Sequence, residues 1–196
     1  MSSALKRHLI GATAAVASTA AMAVPVQWAG NGHWYEFVPS ATSWEGAAAA
    51  AAGRSHLGLQ GYLVTITSQG EQDFLFASVT RSPSWMGAND RRVEGEWRWE
   101  TGPEAGTMFY KAGVGTLTYS NWGGGEPNNC CSGEDDGVYA YFGGGQWNDF
   151  GLPSFPGNQY GYIVEFGSVV PEPRTYALMA MGLVAVGALA RRRAGR

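Results

Sequence analysis

Cysteine is almost absent from this 196-residue chain: Cys130 and Cys131 are the only two, and they are neighbours. Adjacent cysteines close only a small strained ring or pair between chains, so no disulfide within one chain joins distant segments. Charge is also scarce, at 15% of residues, while glycine is abundant, with 29 copies. That balance excludes an ordinary helix bundle and favours a loop-rich, mostly β or α+β domain. No sustained heptad and no repeat of roughly 20 to 50 residues is present, which excludes coiled coils and solenoids. Aromatic residues make up 13%, with eight Trp, and such a chain has the apolar surface to form a core rather than remain disordered.

Basic residues are missing where acids gather. Between 24 and 173 there are six bases (Arg54, Arg81, Arg91, Arg92, Arg98, Lys111) and all sixteen acids, a net charge of −10. This body repels nucleic acid and anionic lipid, so neither is expected as a partner. From Ala112 to Pro173 there is no Lys or Arg, yet Glu126, Glu134, Asp135, Asp136, Asp149, Glu165 and Glu172 all fall there. Clustered carboxylates without local cations stay solvated, take up protons or bind a metal.

Both ends read as processing signals. Residues 1–23 carry Lys6-Arg7-His8, a weakly apolar run from Leu9 to Ala20, and Ala21-Met22-Ala23, the pattern of a cleaved signal peptide. Residues 168–196 carry Pro171-Glu172-Pro173, a 15-residue apolar run from Tyr176 to Ala190, and the basic tip Arg191-Arg192-Arg193. That run is shorter than the roughly 17 to 25 residues that span a bilayer, and the arginines would stay cytoplasmic. The three-part end resembles the PEP-CTERM sorting signal of Gram-negative, exopolysaccharide-producing bacteria. The resemblance implies export through the inner membrane, transient membrane association through this short apolar helix, and removal by an exosortase-type enzyme. The product would be secreted or held at the cell surface. Residues 24–167 remain as one domain.

Within it, Thr42-Ser43-Trp44-Glu45 reads as a capping box with Thr42 as N-cap, opening a helix through the alanine run Ala47 to Ala52. Ser68-Gln69-Gly70-Glu71 reads as a second box, for a helix to about Ser78. Strands are expected at Tyr62–Ile66, Glu96–Glu100, Val138–Phe142 and Tyr160–Phe166 from their alternation and β-rich composition. Thr101 to Asn129 shows little regular signal, and long irregular stretches in a compact domain are usually functional.

The ordered set Trp44-Glu45, Leu63-Val64-Thr65-Ile66, Trp85-Met86-Gly87, Trp97-Arg98-Trp99, Asn121-Trp122, Glu126-Pro127-Asn128 and Trp147-Asn148-Asp149 resembles the C-type lectin domain, over roughly His33 to Phe166. The resemblance implies an α+β, C-type lectin-like fold with two helices, antiparallel sheets and a long calcium-binding loop. It also implies a cis bond before Pro127, turning Glu126 and Asn128 toward one ion.

The residues agree with that implication. Calcium takes about six to eight oxygen ligands, and Glu126, Asn128, Glu134, Asn148 and Asp149 offer five oxygen-bearing side chains. No histidine lies near them, which disfavours zinc, and magnesium prefers a stricter octahedron with fewer protein ligands. Adjacent sugar hydroxyls can replace water on such an ion while hydrogen-bonding to the same Glu126, Asn128, Asn148 and Asp149. By resemblance, Glu-Pro-Asn implies mannose- or glucose-type hydroxyl pairs. The resemblance also places a second calcium at Asp90, Glu94, Asn129 and Asp135, with Glu134 shared.

Departures and alternatives accompany this expectation. Ala51, Asp136 and Val164 stand at or near positions where the family carries half-cystines. Gly143-Gly144-Gly145 and the insert Phe150 to Gln159 look particular to this chain. His33 and His56 are far in sequence from the acidic stretch and read as surface or turn residues. Glu126 and Asp149 could form a glycosidase pair, but metal ligation would occupy their lone pairs, so no catalysis is expected. The alternative function is a calcium-stabilised protein-binding or matrix-scaffold domain with no sugar ligand.

Overall fold

The first long strand and the last lie side by side, so the chain leaves the domain next to where it entered. The computed structural model describes residues 24–129, 136–150 and 159–167. The expected signal peptide, the sorting signal, Cys130, Cys131, Glu134, Asp135 and most of the insert lie outside the described residues.

In chain order the elements are β1 (Val26–Gln27), β2 (Trp34–Thr42), α1 (Trp44–Ala52), β3 (Ser55–His56), β4 (Leu59–Leu63), α2 (Gln69–Phe74), β5 (Ser84–Asn89), β6 (Glu96–Trp99), β7 (Met108–Lys111), β8 (Gly115–Thr116), β9 (Asp136–Phe142), β10 (Gln146–Asp149) and β11 (Tyr160–Phe166). The fold is α+β. β11 is the hub: it pairs antiparallel with β2 and β4 and parallel with β5. β5 carries the sheet onward to β6 and β9, both antiparallel, and β9 pairs with β10.

Several expected elements are displaced, each for a visible reason. Ser43, not Thr42, caps α1, accepting the Gly46 N–H at 3.2 Å. Thr42 still belongs to β2, where Tyr160 of β11 faces it. Ser68 caps α2 as expected, accepting the Glu71 N–H at 3.2 Å. The α-helical part ends at Phe74, and a π turn continues over Leu75–Val79. The strand expected at Tyr62–Ile66 is instead Leu59–Leu63. Beyond it, Val64 N–H donates to Ile163 O and Thr65 N–H to the side chain of Glu165, so the backbone stays bonded outside a regular ladder. The expected strand Glu96–Glu100 ends one residue early, at Trp99.

Alternation along β11 divides the core. Ile163 faces a cluster with Tyr35, Ile66, Trp97, Trp99, Phe109 and Trp147. Tyr162, Val164 and Phe166 face a second, with Ala47, Ala51, Leu63 and Trp85. Ala51 and Val164 are both fully buried in that second cluster. A methyl group at Gly61 would meet Ala51 O at 2.6 Å and Val164 Cγ1 at 2.9 Å. Close packing of α1, β4 and β11 therefore joins the segments where a disulfide was absent from the sequence.

His33 is not a simple surface residue. Its Nδ1 lies 2.6 Å from Glu165 Oε1, part of a buried network. Tyr35 OH donates to Glu71 Oε1 at 2.7 Å, and Thr67 N–H donates to Glu71 Oε2 at 2.9 Å. Burial, then the charge of Glu165, pushes the Glu71 carboxyl up to about 7.

Candidate calcium and sugar site

Aromatic packing fixes the root of the irregular loop. Trp122 lies edge-on to Trp97 at 4.7 Å and to Trp147 at 5.7 Å. Trp147 N–H donates to Asn121 O at 2.8 Å, and Gly123 N–H returns to Trp147 O at 2.9 Å. The segment before Glu126 is thus zipped to β10. Glu126 N–H closes a turn on Gly123 O at 3.1 Å. Gly125, at φ 95°, occupies a conformation that side chains disfavour. The Glu126–Pro127 bond is cis, as the resemblance implied, and Asn129 sits at φ 49°, which asparagine tolerates.

β10 supplies the facing side. Asn148 and Asp149 are buried, at 6% and 3% exposure, and pair across the ladder with Val138 and Gly137 of β9. Asp149 Oδ2 accepts the Asn129 N–H at 2.7 Å. The remaining oxygens are the informative ones: Asp149 Oδ1 and Glu126 Oε2 are both buried and neither accepts a hydrogen bond. Burial, followed by the neighbouring Asp149 carboxylate, pushes Glu126 up to about 7, against hydrogen bonds from Asn128 that favour its charged form. Two carboxylates converge here, and among the described residues neither forms an ion pair with a Lys, Arg or His. Carboxylate and amide oxygens together suit a hard divalent ion.

The fold brings Glu126, Asn128, Asn129 and Asp149 together, and Asn148 precedes Asp149 on β10. Glu134 and Asp135 lie outside the described residues, and among the described residues no group of three or more His, Cys, Asp or Glu is arranged to hold a metal ion. Asp90 is buried and uses Oδ2 to accept the Gly95 N–H at 2.8 Å, while Glu94 is exposed. Arg91, beside Asp90, carries no signal of its role in the sequence. Arg91 Nη2 contacts Asp136 Oδ2 at 2.6 Å, its Nη1 contacts Glu45 Oε1 at 2.5 Å, and its guanidinium stacks 5.3 Å from the Trp44 ring centre. No local motif marks such a triad, since its members come from three elements.

This frame, with its loop facing a Trp-Asn-Asp strand, is that of a lectin domain. Residues 40–151 match the lectin C-type domain model, and residues 169–193 match the PEP-CTERM protein-sorting motif. The chain belongs to the C-type lectin domain family. It is 39% identical over 143 residues to Halomucin of Haloquadratum walsbyi, covering 72% of this chain but 2% of that protein. It is 45% identical over 91 residues to the low affinity immunoglobulin epsilon Fc receptor of Mus musculus, covering 46% of this chain and 23% of the receptor. A perlucin-like protein of Mytilus galloprovincialis is 32% identical over 134 residues, 66% of this chain and 73% of its own length. The chain thus spans only a small part of the first two relatives. Among solved structures, the C-type lectin CEL-I of Cucumaria echinata aligns with a TM-score of 0.54 at 26% identity, over 74% of this chain and 97% of that one. The cow CD23 carbohydrate-recognition domain aligns at 0.51 and 32% identity, over 69% and 89%. Among the described residues no helix is long and apolar enough to cross a membrane; the run from Tyr176 to Ala190 lies outside them.

Proposed function

We propose that this is an exported, non-catalytic carbohydrate-binding domain whose sugar site is organised by calcium on Glu126, Asn128, Glu134, Asn148 and Asp149. The observation that carries it is the pair of buried, unpartnered carboxylate oxygens, Glu126 Oε2 and Asp149 Oδ1. A bound calcium supplies coordination positions for two adjacent hydroxyls of a sugar ring. The side chains do the rest: carboxylates accept from the hydroxyls, and the Asn128 and Asn148 amides donate to them. Mannose- or glucose-type rings are the favoured class. The cow CD23 carbohydrate-recognition domain, whose crystal structure was obtained in the presence of a GlcNAc2Man3 oligosaccharide, supports that choice.

Extension to a second ion at Asp90, Glu94, Asn129 and Asp135 is part of the proposal, and a calcium stoichiometry of two would support it. So is the domain plan: signal peptide 1–23, lectin domain 24–167 and sorting signal 168–196, processed by an exosortase at the envelope of a Gram-negative bacterium. Exopolysaccharide is the natural ligand source there. The test is retention of the mature domain on immobilised mannose, with and without EDTA. Calcium-dependent retention supports the proposal. Calcium binding with no retention on mannose or across a glycan array favours the protein-binding or matrix-scaffold alternative.

A further inference from the structure

We infer that Arg91 is a positioning residue for this site: by holding Asp136 it fixes the start of β9, and through it the strand that carries Asn148 and Asp149. The inference rests on the proposed calcium site. Arg91 lies in the turn after β5, and Asp136 is the cross-strand partner of Asn89, the last residue of that strand. The guanidinium reaches Asp136 at 2.6 Å and Glu45 of α1 at 2.5 Å. Asp136 is buried, at 2% exposure. Its carbonyl accepts the Phe150 N–H at 2.8 Å, and its neighbour Gly137 faces Asp149. Asp149 in turn holds the Asn129 N–H at 2.7 Å. Every link from Arg91 to the loop after Glu126 is therefore a named contact.

An isolated surface ion pair contributes little. This one differs in having one buried acid, two acids from separate elements on one guanidinium, and the Trp44 ring beneath it. Its effect on calcium also has a diagnostic sign. Charge alone predicts that removing a cation near a cation site tightens binding. A positioning role predicts the reverse, because ligands left loosely held must be ordered when the ion binds.

The experiment compares wild type, Arg91→Met and Arg91→Lys by calcium titration calorimetry, and follows amide exchange of Asn129 and Phe150 in EDTA. Methionine keeps apolar packing on Trp44. Arg91→Met is expected to weaken calcium binding about 10-fold, in the range seen for outer-shell partners, and to speed exchange at both amides. Arg91→Lys should recover part of each effect. In an Asp136→Asn background, Arg91→Met should add nothing. Calcium binding that is unchanged or tighter in Arg91→Met, with unchanged exchange, overturns the inference. Should wild type take up no calcium, the proposed function fails, and exchange in EDTA alone decides: faster at both amides supports the positioning role, unchanged overturns it.

Discussion

Asp149 Oδ2 accepts the backbone N–H of Asn129 at 2.7 Å, so the strand bearing Trp147-Asn148-Asp149 holds the turn that follows Glu126-Pro127-Asn128. One oxygen of that carboxylate holds the turn, and the other, Oδ1, is buried without a hydrogen-bond partner. Asp149→Asn keeps an acceptor for Asn129 and removes the charge. The wild type is expected to gain about 2.7 kcal/mol from calcium at about a hundredfold excess over Kd, seen as a rise of about 5–10 °C in melting temperature. Asp149→Asn should melt like wild type in EDTA and gain almost nothing from calcium. Thermal melts with calcium and with EDTA check this.

Removing a ligand side chain should separate binding from folding. Glu126→Ala takes away one of two converging carboxylates, so the calcium-free domain should be no less stable than wild type. Sugar retention should be lost. Asn148→Ala should also lose retention, with a modest stability cost of about 1 kcal/mol from a buried polar side chain. Frontal chromatography on immobilised mannose, alongside melts in EDTA, measures both. Normal retention by either variant in limiting calcium contradicts the ligand assignment.

Much of this was legible in the sequence because it is local. The alternation of Tyr160 to Phe166, the Ser68 cap and the Glu-Pro-Asn and Trp-Asn-Asp tripeptides each announce themselves within a few residues. What was not legible depends on partners far along the chain. Thr42 has the composition of an N-cap, but strand pairing with Tyr160 moves the cap to Ser43. β2 is interrupted by Pro39 and shows no clean period, yet β11 makes it a strand. Arg91 finds Asp136 at a separation of 45 residues, and His33 finds Glu165 at 132, distances at which spacing carries no signal.

The buried network predicts a pH dependence of unusual sign. The hydrogen bond that His33 donates to Glu165 raises His33 above its ordinary 6.5, while burial and the charge of Glu165 raise Glu71 from 4.5 to about 7. Both groups hold a proton more tightly folded than unfolded. The His33 contribution is full below pH 6.5 and is lost as pH rises through its folded value; the Glu71 contribution is full below pH 4.5 and is lost by about pH 7. Glu126, also raised to about 7 without calcium, acts in the same direction. In EDTA, stability should therefore fall between pH 5 and pH 8. Glu71→Gln should flatten part of that slope in denaturant titrations across the range.

Close packing at Gly61 should tolerate no side chain. Its added methyl group would meet the Ala51 carbonyl at 2.6 Å and Val164 Cγ1 at 2.9 Å. Gly61→Ala is expected to cost about 1–3 kcal/mol, measured as a lower denaturation midpoint in the presence of calcium. Calcium affinity should stay near wild type, because this junction lies in the second core cluster rather than at the ion loop.

If calcium on the Glu126 and Asp149 side chains creates the sugar site, sugar binding must come and go with the ion. Titrate the mature domain with a mannose-containing oligosaccharide by calorimetry, first in saturating calcium, then after chelation, then after calcium is restored. Binding is expected in the first and third titrations and none in the second. Equal binding in all three, or none in any while the domain takes up calcium, would contradict it.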